Sequence, residues 1–200
     1  MTRTRPLLRP LAALATAALL PLAACSDDDS DGDTDGDLEI TLRDAAGDRI
    51  GTIDLDDADG GGTEVSIDAR DLPEGHLAFH VHGIGACEPD SADPEDPSST
   101  GDFLSAGGHL GSDASDHGDH TGDLPSLHVG SDGRAILEFT TDRFTIDDLR
   151  DSDGSAFMVH AGPDNFANIP DRYADGGPDE ETRGSGDAGD RIACAVVEPR

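Results

Sequence analysis

Between Gly107 and Asp123 the chain reads GGHLGSDASDHGDHTGD and places His109, His117, His120 and Asp123 in one short polar stretch. The stretch has neither a helical nor a strand period, and a loop so rich in Gly and Asp builds no core of its own. Three imidazoles and a carboxylate are the donor set that a tetrahedral zinc ion accepts. Upstream, His80-Val81-His82 forms a second pair. Alternate residues of a strand share a face, so both imidazoles point the same way while Phe79 and Val81 point into the core. Two imidazoles side by side on the outer face of a sheet suit copper or zinc. His160 lies at the end of another apolar run, directly before a long polar segment.

The elements that must position these residues are short strands. From Leu38 onward apolar residues alternate with polar ones: Leu38, Ile40 and Leu42; Ile50 to Leu55; then Val65 and Ile67 within Thr63 to Ala69. His76 to His82 is the fourth strand. Leu124 to Val129 and Arg134 to Thr140 form a hairpin around Gly130-Ser131-Asp132-Gly133. Ala156 to Ala161 and Arg191 to Glu198 are the seventh and eighth. Only Thr145 to Arg150 reads as a helical turn, with Thr145 or Asp142 near its start. Period-2 runs with one wet face predict antiparallel pairing, and eight of them predict an all-β sandwich or flattened barrel. The connections from Gly83 to Gly122 and from Gly162 to Asp190 are too long for plain turns, and such loops on a β scaffold carry function.

Composition narrows the partners. The 200 residues hold 13 basic side chains, all arginine, against 44 acidic ones, a net charge of −31. Nucleic acid needs a basic face, so it is excluded as a partner. Residues 1–24 read as a signal peptide: Arg3, Arg5 and Arg9 precede an apolar run from Leu11 to Ala24 that is too short to span a bilayer comfortably. The run ends in Leu22-Ala23-Ala24-Cys25, which looks like a bacterial lipobox and implies cleavage before Cys25 and a lipid on its thiol. The mature chain would be extracytoplasmic, anchored to the membrane through that lipid, with a charge of 10 − 44 = −34. Residues 25–37 carry the lipidated Cys and an acidic tether without apolar side chains, expected to be extended. Residues 38–200 are the folded domain. Three cysteines are an odd number for an exported chain; with Cys25 lipidated, Cys87 and Cys194 remain as a pair in an oxidising compartment.

Taken in order, His80-Val81-His82-Gly83, Cys87, Ser105-Ala106-Gly107-Gly108-His109, Gly122-Asp123-Leu124, Val159-His160-Ala161-Gly162-Pro163-Asp164-Asn165 and Gly186 to Cys194 resemble the copper/zinc superoxide dismutase family. The resemblance covers most of Leu38 to Glu198. It implies an eight-stranded Greek-key flattened barrel with two long functional loops, copper and zinc as cofactors, and superoxide as substrate, converted to oxygen and hydrogen peroxide. Position by position, it implies copper on His80, His82, His109 and His160, and zinc on His109, His117, His120 and Asp123, with His109 between the metals. Arg191 matches the arginine that draws in the anion. Asp164 matches a carboxylate linking a copper-site to a zinc-site histidine, and Cys87 with Cys194 matches the family disulfide. Three places depart from the pattern: His117 and His120 are only three apart, Ala78 replaces a glycine, and Leu110-Gly111-Ser112 follows His109. His76 and His128 match no ligand position and read as ordinary strand or surface histidines. A copper-binding or copper-delivering lipoprotein on the same scaffold is the rival reading, because fold alone does not fix function. The oligomeric state stays open, a homodimer included.

Overall fold

The computed structural model describes residues 37–200. The signal segment, Cys25 and the tether up to residue 36 lie outside the described residues. The strands are β1 (Asp37–Asp44), β2 (Arg49–Asp57), β3 (Thr63–Ala69), β4 (Gly75–Leu77), β5 (Phe79–His82), β6 (Ser91–Ala92), β7 (Thr100–Gly101), β8 (Leu127–Val129), β9 (Ala135–Thr141), β10 (Ser155–His160) and β11 (Arg191–Val197). Two short helices, α1 (Ile146–Leu149) and α2 (Glu180–Ser185), and a 3-10 turn at Leu104–Ala106 complete the described elements.

Seven strands form one antiparallel sheet in the order β5-β10-β11-β1-β2-β3-β9. The two ends of that sheet meet through the β4–β8 pair. β8 joins β9 across the turn at Gly130, and β4 runs on through Ala78 into β5. The sheet is thereby curled into the expected eight-stranded barrel, counting β4 and β5 as one strand. Two expected elements differ in detail. The strand His76 to His82 is interrupted at Ala78, whose N–H donates to Gly162 C=O at 2.9 Å, so the second long loop is stitched into the strand at that point. The expected hairpin is held at its turn by Gly130 N–H on Arg134 C=O (3.0 Å), after which β8 leaves β9 to pair with β4.

The alternation read from sequence has a physical counterpart in the core. Ile40, Leu42, Ile53, Leu55, Val65, Ile67, Phe79, Val81, Phe157 and Val159 are buried together inside the barrel. A bulge between Leu42 and Arg43 lets both Ile50 and Ile53 face inward despite their odd spacing. The continuous apolar character of β10 follows from burial on both faces. Its outer residues Ala156 and Met158 pack with Phe103, Ala106 and Cys194 in a second cluster beneath the first long loop. The Cys87–Cys194 disulfide closes that loop against β11 over a sequence separation of 107. A cross-link of that span is worth on the order of 4–5 kcal/mol by restricting the unfolded chain. α1 starts with a capping box, Thr145 accepting from Asp148 N–H while the Asp148 carboxylate accepts from Thr145 N–H.

Candidate metal centre

β5 lies at the end of the seven-stranded sheet, and its free edge is taken by both ends of the His-rich loop. Val81 N–H donates to Gly122 C=O (2.8 Å), Leu110 N–H donates to Val81 C=O (2.9 Å), and Gly83 N–H donates to Gly108 C=O (3.0 Å). These bonds set His109 opposite His82 and Asp123 opposite His80. A Cβ on residue 122 would overlap the Val81 carbonyl, so the close approach requires glycine there. His80 and His82 leave the outer side of the barrel, as the alternation implies, but that side is not wet. Both are at most 1 % exposed, because the two long loops cover them.

Three of the buried imidazoles each have one nitrogen committed to a carbonyl or carboxylate outside the cluster. His80 Nε2 donates to Asp164 Oδ2 (2.8 Å), His82 Nδ1 to Gly107 C=O (2.8 Å) and His160 Nδ1 to Gly189 C=O (3.1 Å). The remaining nitrogens turn toward one another, with His82 Nε2 and His160 Nε2 3.4 Å apart. Donor atoms of His80, His82, His109 and His160 all fall within 4.8 Å of one another.

On the other side of the His109 ring, its Nδ1 lies 3.1 Å from Asp123 Oδ1 and 3.3 Å from His120 Nδ1. Asp123 Oδ1 is 3.0 Å from His117 Nδ1 and 3.4 Å from His120 Nδ1. Ligands about 2.0–2.1 Å from a tetrahedral ion stand about 3.3–3.4 Å apart, close to all four separations. His80 Nδ1 is buried without a hydrogen-bond partner, and His117 Nδ1 has only the poorly aligned Asp123 Oδ1 contact. A buried donor or acceptor left unpaired is costly, and the bare nitrogen of His80 is what a bound cation would satisfy. The residues therefore fit two adjoining metal sites that meet at His109.

Asp164 ties the clusters together. Its side chain is fully buried; Oδ2 accepts from His80, and Oδ1 accepts from His117 Nε2 (2.7 Å) and Phe166 N–H (2.7 Å). Gly186 permits this: at φ 65° it sits against the pair, and a Cβ there would overlap both Asp164 Oδ1 and His117 Nε2. Arg191 spans two carbonyls of the first long loop, Phe103 and Gly107, both at 2.7 Å. Phe103 takes a left-handed conformation (φ 61°) where its carbonyl meets the guanidinium. Gly107 C=O thus accepts from both His82 and Arg191.

The structure brings His80, His82, His109, His117, His120, His160, Asp123, Asp164 and Arg191 together here, and bonds Cys87 to Cys194 beneath the first long loop. Sequence reading missed Arg143, which follows β9 and donates to the carbonyls of His120 and Gly118, bracing the loop from outside. An isolated arginine after a strand carries no pattern that marks such a role. His117 N–H donating to Arg183 C=O (2.8 Å), at the end of α2, was equally invisible.

In the metal-free chain, burial pulls His109 down to about 4 and His160 down to about 3, and holds His82 well below the ordinary imidazole value. Neutral imidazoles are the form that binds a metal. Burial also acts downward on His117, but the Asp123 and Asp164 carboxylates outweigh it and carry it up to about 9. Burial lowers Arg191 to about 10, so it stays charged at neutral pH. The three depressed histidines take up protons in the unfolded chain near 6.5 and in the folded chain only far below, so acid favours unfolding over that interval. His117 works the other way: its contribution is complete below about 6.5 and fades as pH rises through about 9. Metal-free protein should therefore be most stable near pH 6.5 and lose stability steadily down to pH 4, as read from urea midpoints. A midpoint that is flat or rises on acidification over this range would contradict the buried-neutral assignment.

A sequence profile of the family described as copper/zinc superoxide dismutase (SODC) matches residues 49–197. The chain is 41% identical over 179 residues to "Superoxide dismutase [Cu-Zn]" of Mycobacterium tuberculosis, covering 86% of this chain and 74% of that protein. It is 30% identical over 168 residues to the protein of the same name from Escherichia coli K12, covering 80% and 86%. Among solved structures it is similar to the Cu/Zn superoxide dismutase from Brucella abortus, with a TM-score of 0.61 at 25% identity over 81% of this chain and 99% of that one. With the profile spanning most of the chain, and relatives alike over most of their length, the protein belongs to the copper/zinc superoxide dismutase family.

Proposed function

We propose that the protein dismutates superoxide to oxygen and hydrogen peroxide at an extracytoplasmic copper site supported by zinc. The observation that carries this reading is the position of His109, whose ring separates the two donor sets. His80 through Nδ1, and His82, His109 and His160 through Nε2, would hold copper. Nδ1 of His109, His117 and His120 and Oδ1 of Asp123 would hold zinc. Copper bound there supplies one-electron exchange with superoxide, and zinc supplies a redox-inert charge. His109 Nε2 is placed to hold and give up a proton beside the reduced substrate. Asp164 fixes the rings of His80 and His117, so that each presents Nδ1 inward. Arg191, held by two carbonyls, presents positive charge toward the anion. A copper store or courier has no use for that arrangement, which favours the enzyme over the copper-delivering alternative.

Protein reconstituted with both metals should accelerate the decay of superoxide, while copper retention without that acceleration would leave the copper-carrier reading standing. His120→Ala should lose zinc and keep copper by elemental analysis. Failure of the wild type to hold stoichiometric zinc would overturn the zinc assignment.

The sequence around Cys25 supports lipid anchoring outside the cytoplasm, with the Cys87–Cys194 bond suited to an oxidising compartment. Wild-type protein should partition with membranes and Cys25→Ser should not. A mature N-terminus downstream of Cys25, found by mass spectrometry, would refute the anchor.

Charge gives a further expectation. The mature chain would carry 10 − 44 = −34, and its substrate is an anion. The Debye length falls from about 30 Å at 0.01 M salt to about 8 Å at 0.15 M, so added salt screens distant acids before it screens Arg191. The rate should rise or hold level over that interval, and Arg191→Ala should lower it and steepen the rise. A steep early fall in the wild-type rate would mean the acids lie off the approach path.

A further inference from the structure

Six of the eight histidines belong to the metal centre. The other two, His76 and His128, are distant in sequence, yet they are direct partners in the register of β4 and β8. Their flanking neighbours Leu77, Leu127 and Val129 are buried in the barrel. Strand alternation therefore sends both imidazoles to the outer face, where both are exposed. The ring centres are 5.0 Å apart with the planes at 63°.

That spacing is the one found inside the metal centre. There, rings of His80 and His160, His82 and His109, His109 and His120, and His82 and His160 stand 4.9, 4.8, 5.4 and 5.6 Å apart. Elementary geometry gives the same answer. Metal–nitrogen bonds of about 2.0–2.1 Å put each ring centre about 3.2 Å from the ion, so two adjacent imidazoles on one ion stand about 4.5–5.2 Å apart.

We propose that His76 and His128 form a separate, solvent-exposed binding site for a divalent first-row transition ion, with water completing its coordination. The β4–β8 register sets the two rings directly opposite one another, so the second imidazole binds at high effective concentration once the first has bound. Nitrogen donors select copper, nickel or zinc over magnesium and calcium, which prefer the oxygen donors abundant on this acidic surface. The site is open to solvent, so its ion exchanges without the long loops having to part. It does not depend on the dismutase reading, since it uses none of the residues of that centre.

The test uses protein with both internal sites filled, titrated calorimetrically with Ni2+ in excess Mg2+ to occupy carboxylates. One additional site per chain is expected. His76→Gln or His128→Gln should each weaken it on the order of a hundredfold, the gain that a second tethered donor provides. Superoxide removal should be unchanged, which also reports that the variants fold. In the wild type, sub-stoichiometric Ni2+ should broaden the imidazole proton resonances of His76 and His128 together. No Ni2+ uptake by the wild type, equal uptake by both variants, or broadening confined to Asp and Glu side chains would each overturn the proposal.

Discussion

An imidazole has two nitrogens, and the metal centre rests on which of them the protein keeps. Carbonyls of Gly107 and Gly189 take one nitrogen of His82 and of His160, and Asp164 takes one each from His80 and His117. Those bonds fix ring orientation and tautomer and aim the opposite nitrogens inward. The arrangement is held by burial, since in a site this dry a carboxylate–imidazole bond is not replaced by water. Asp164 is the most consequential member because one side chain orients a ring in each cluster. Its own support reaches back to Gly186, where only a missing Cβ leaves room for the contact.

The second dependence is mechanical. The first long loop is attached at three kinds of point: backbone bonds to the edge of β5, apolar packing of Phe103 and Ala106 on β10, and the disulfide to β11. Arg191 closes the arrangement by binding the carbonyl that also receives His82. Movement of the loop therefore shifts the Arg191 guanidinium and the His82 ring together. From the other side, Arg143 and the last turn of α2 brace the His117 to His120 segment. That bracing holds the two histidines, only three apart, in a stretch with no core of its own.

Much of this was legible in the sequence because strand alternation and histidine spacing are local signals. Leu38 to Ala69 announced its strands, and His80-Val81-His82 announced two rings on one side. What sequence could not convey was coverage. His80 and His82 read as outer-face residues and are buried, because burial there is imposed by loops that arrive from residues 83–122 and 162–190. The break at Ala78 and the exchange of β8 from β9 to β4 are likewise decided by partners distant in the chain. Arg143 went unseen for the same reason: its function lies in which carbonyls it meets, and nothing adjacent to it encodes them.

The sheet order sets a condition on when the molecule can come into being. β11 is inserted between β10 and β1, so the first of the described strands has its neighbour supplied by the last of them. Until the ribosome has passed Val197, both β1 and β10 present open edges, Cys87 is not yet joined to Cys194 on β11, and Arg191 is not in place to cap the loop. A partly synthesised chain is therefore a set of incomplete sheet fragments rather than a smaller version of the fold. Among the described strands, closing the sheet therefore waits on β11, the strand that joins β10 to β1.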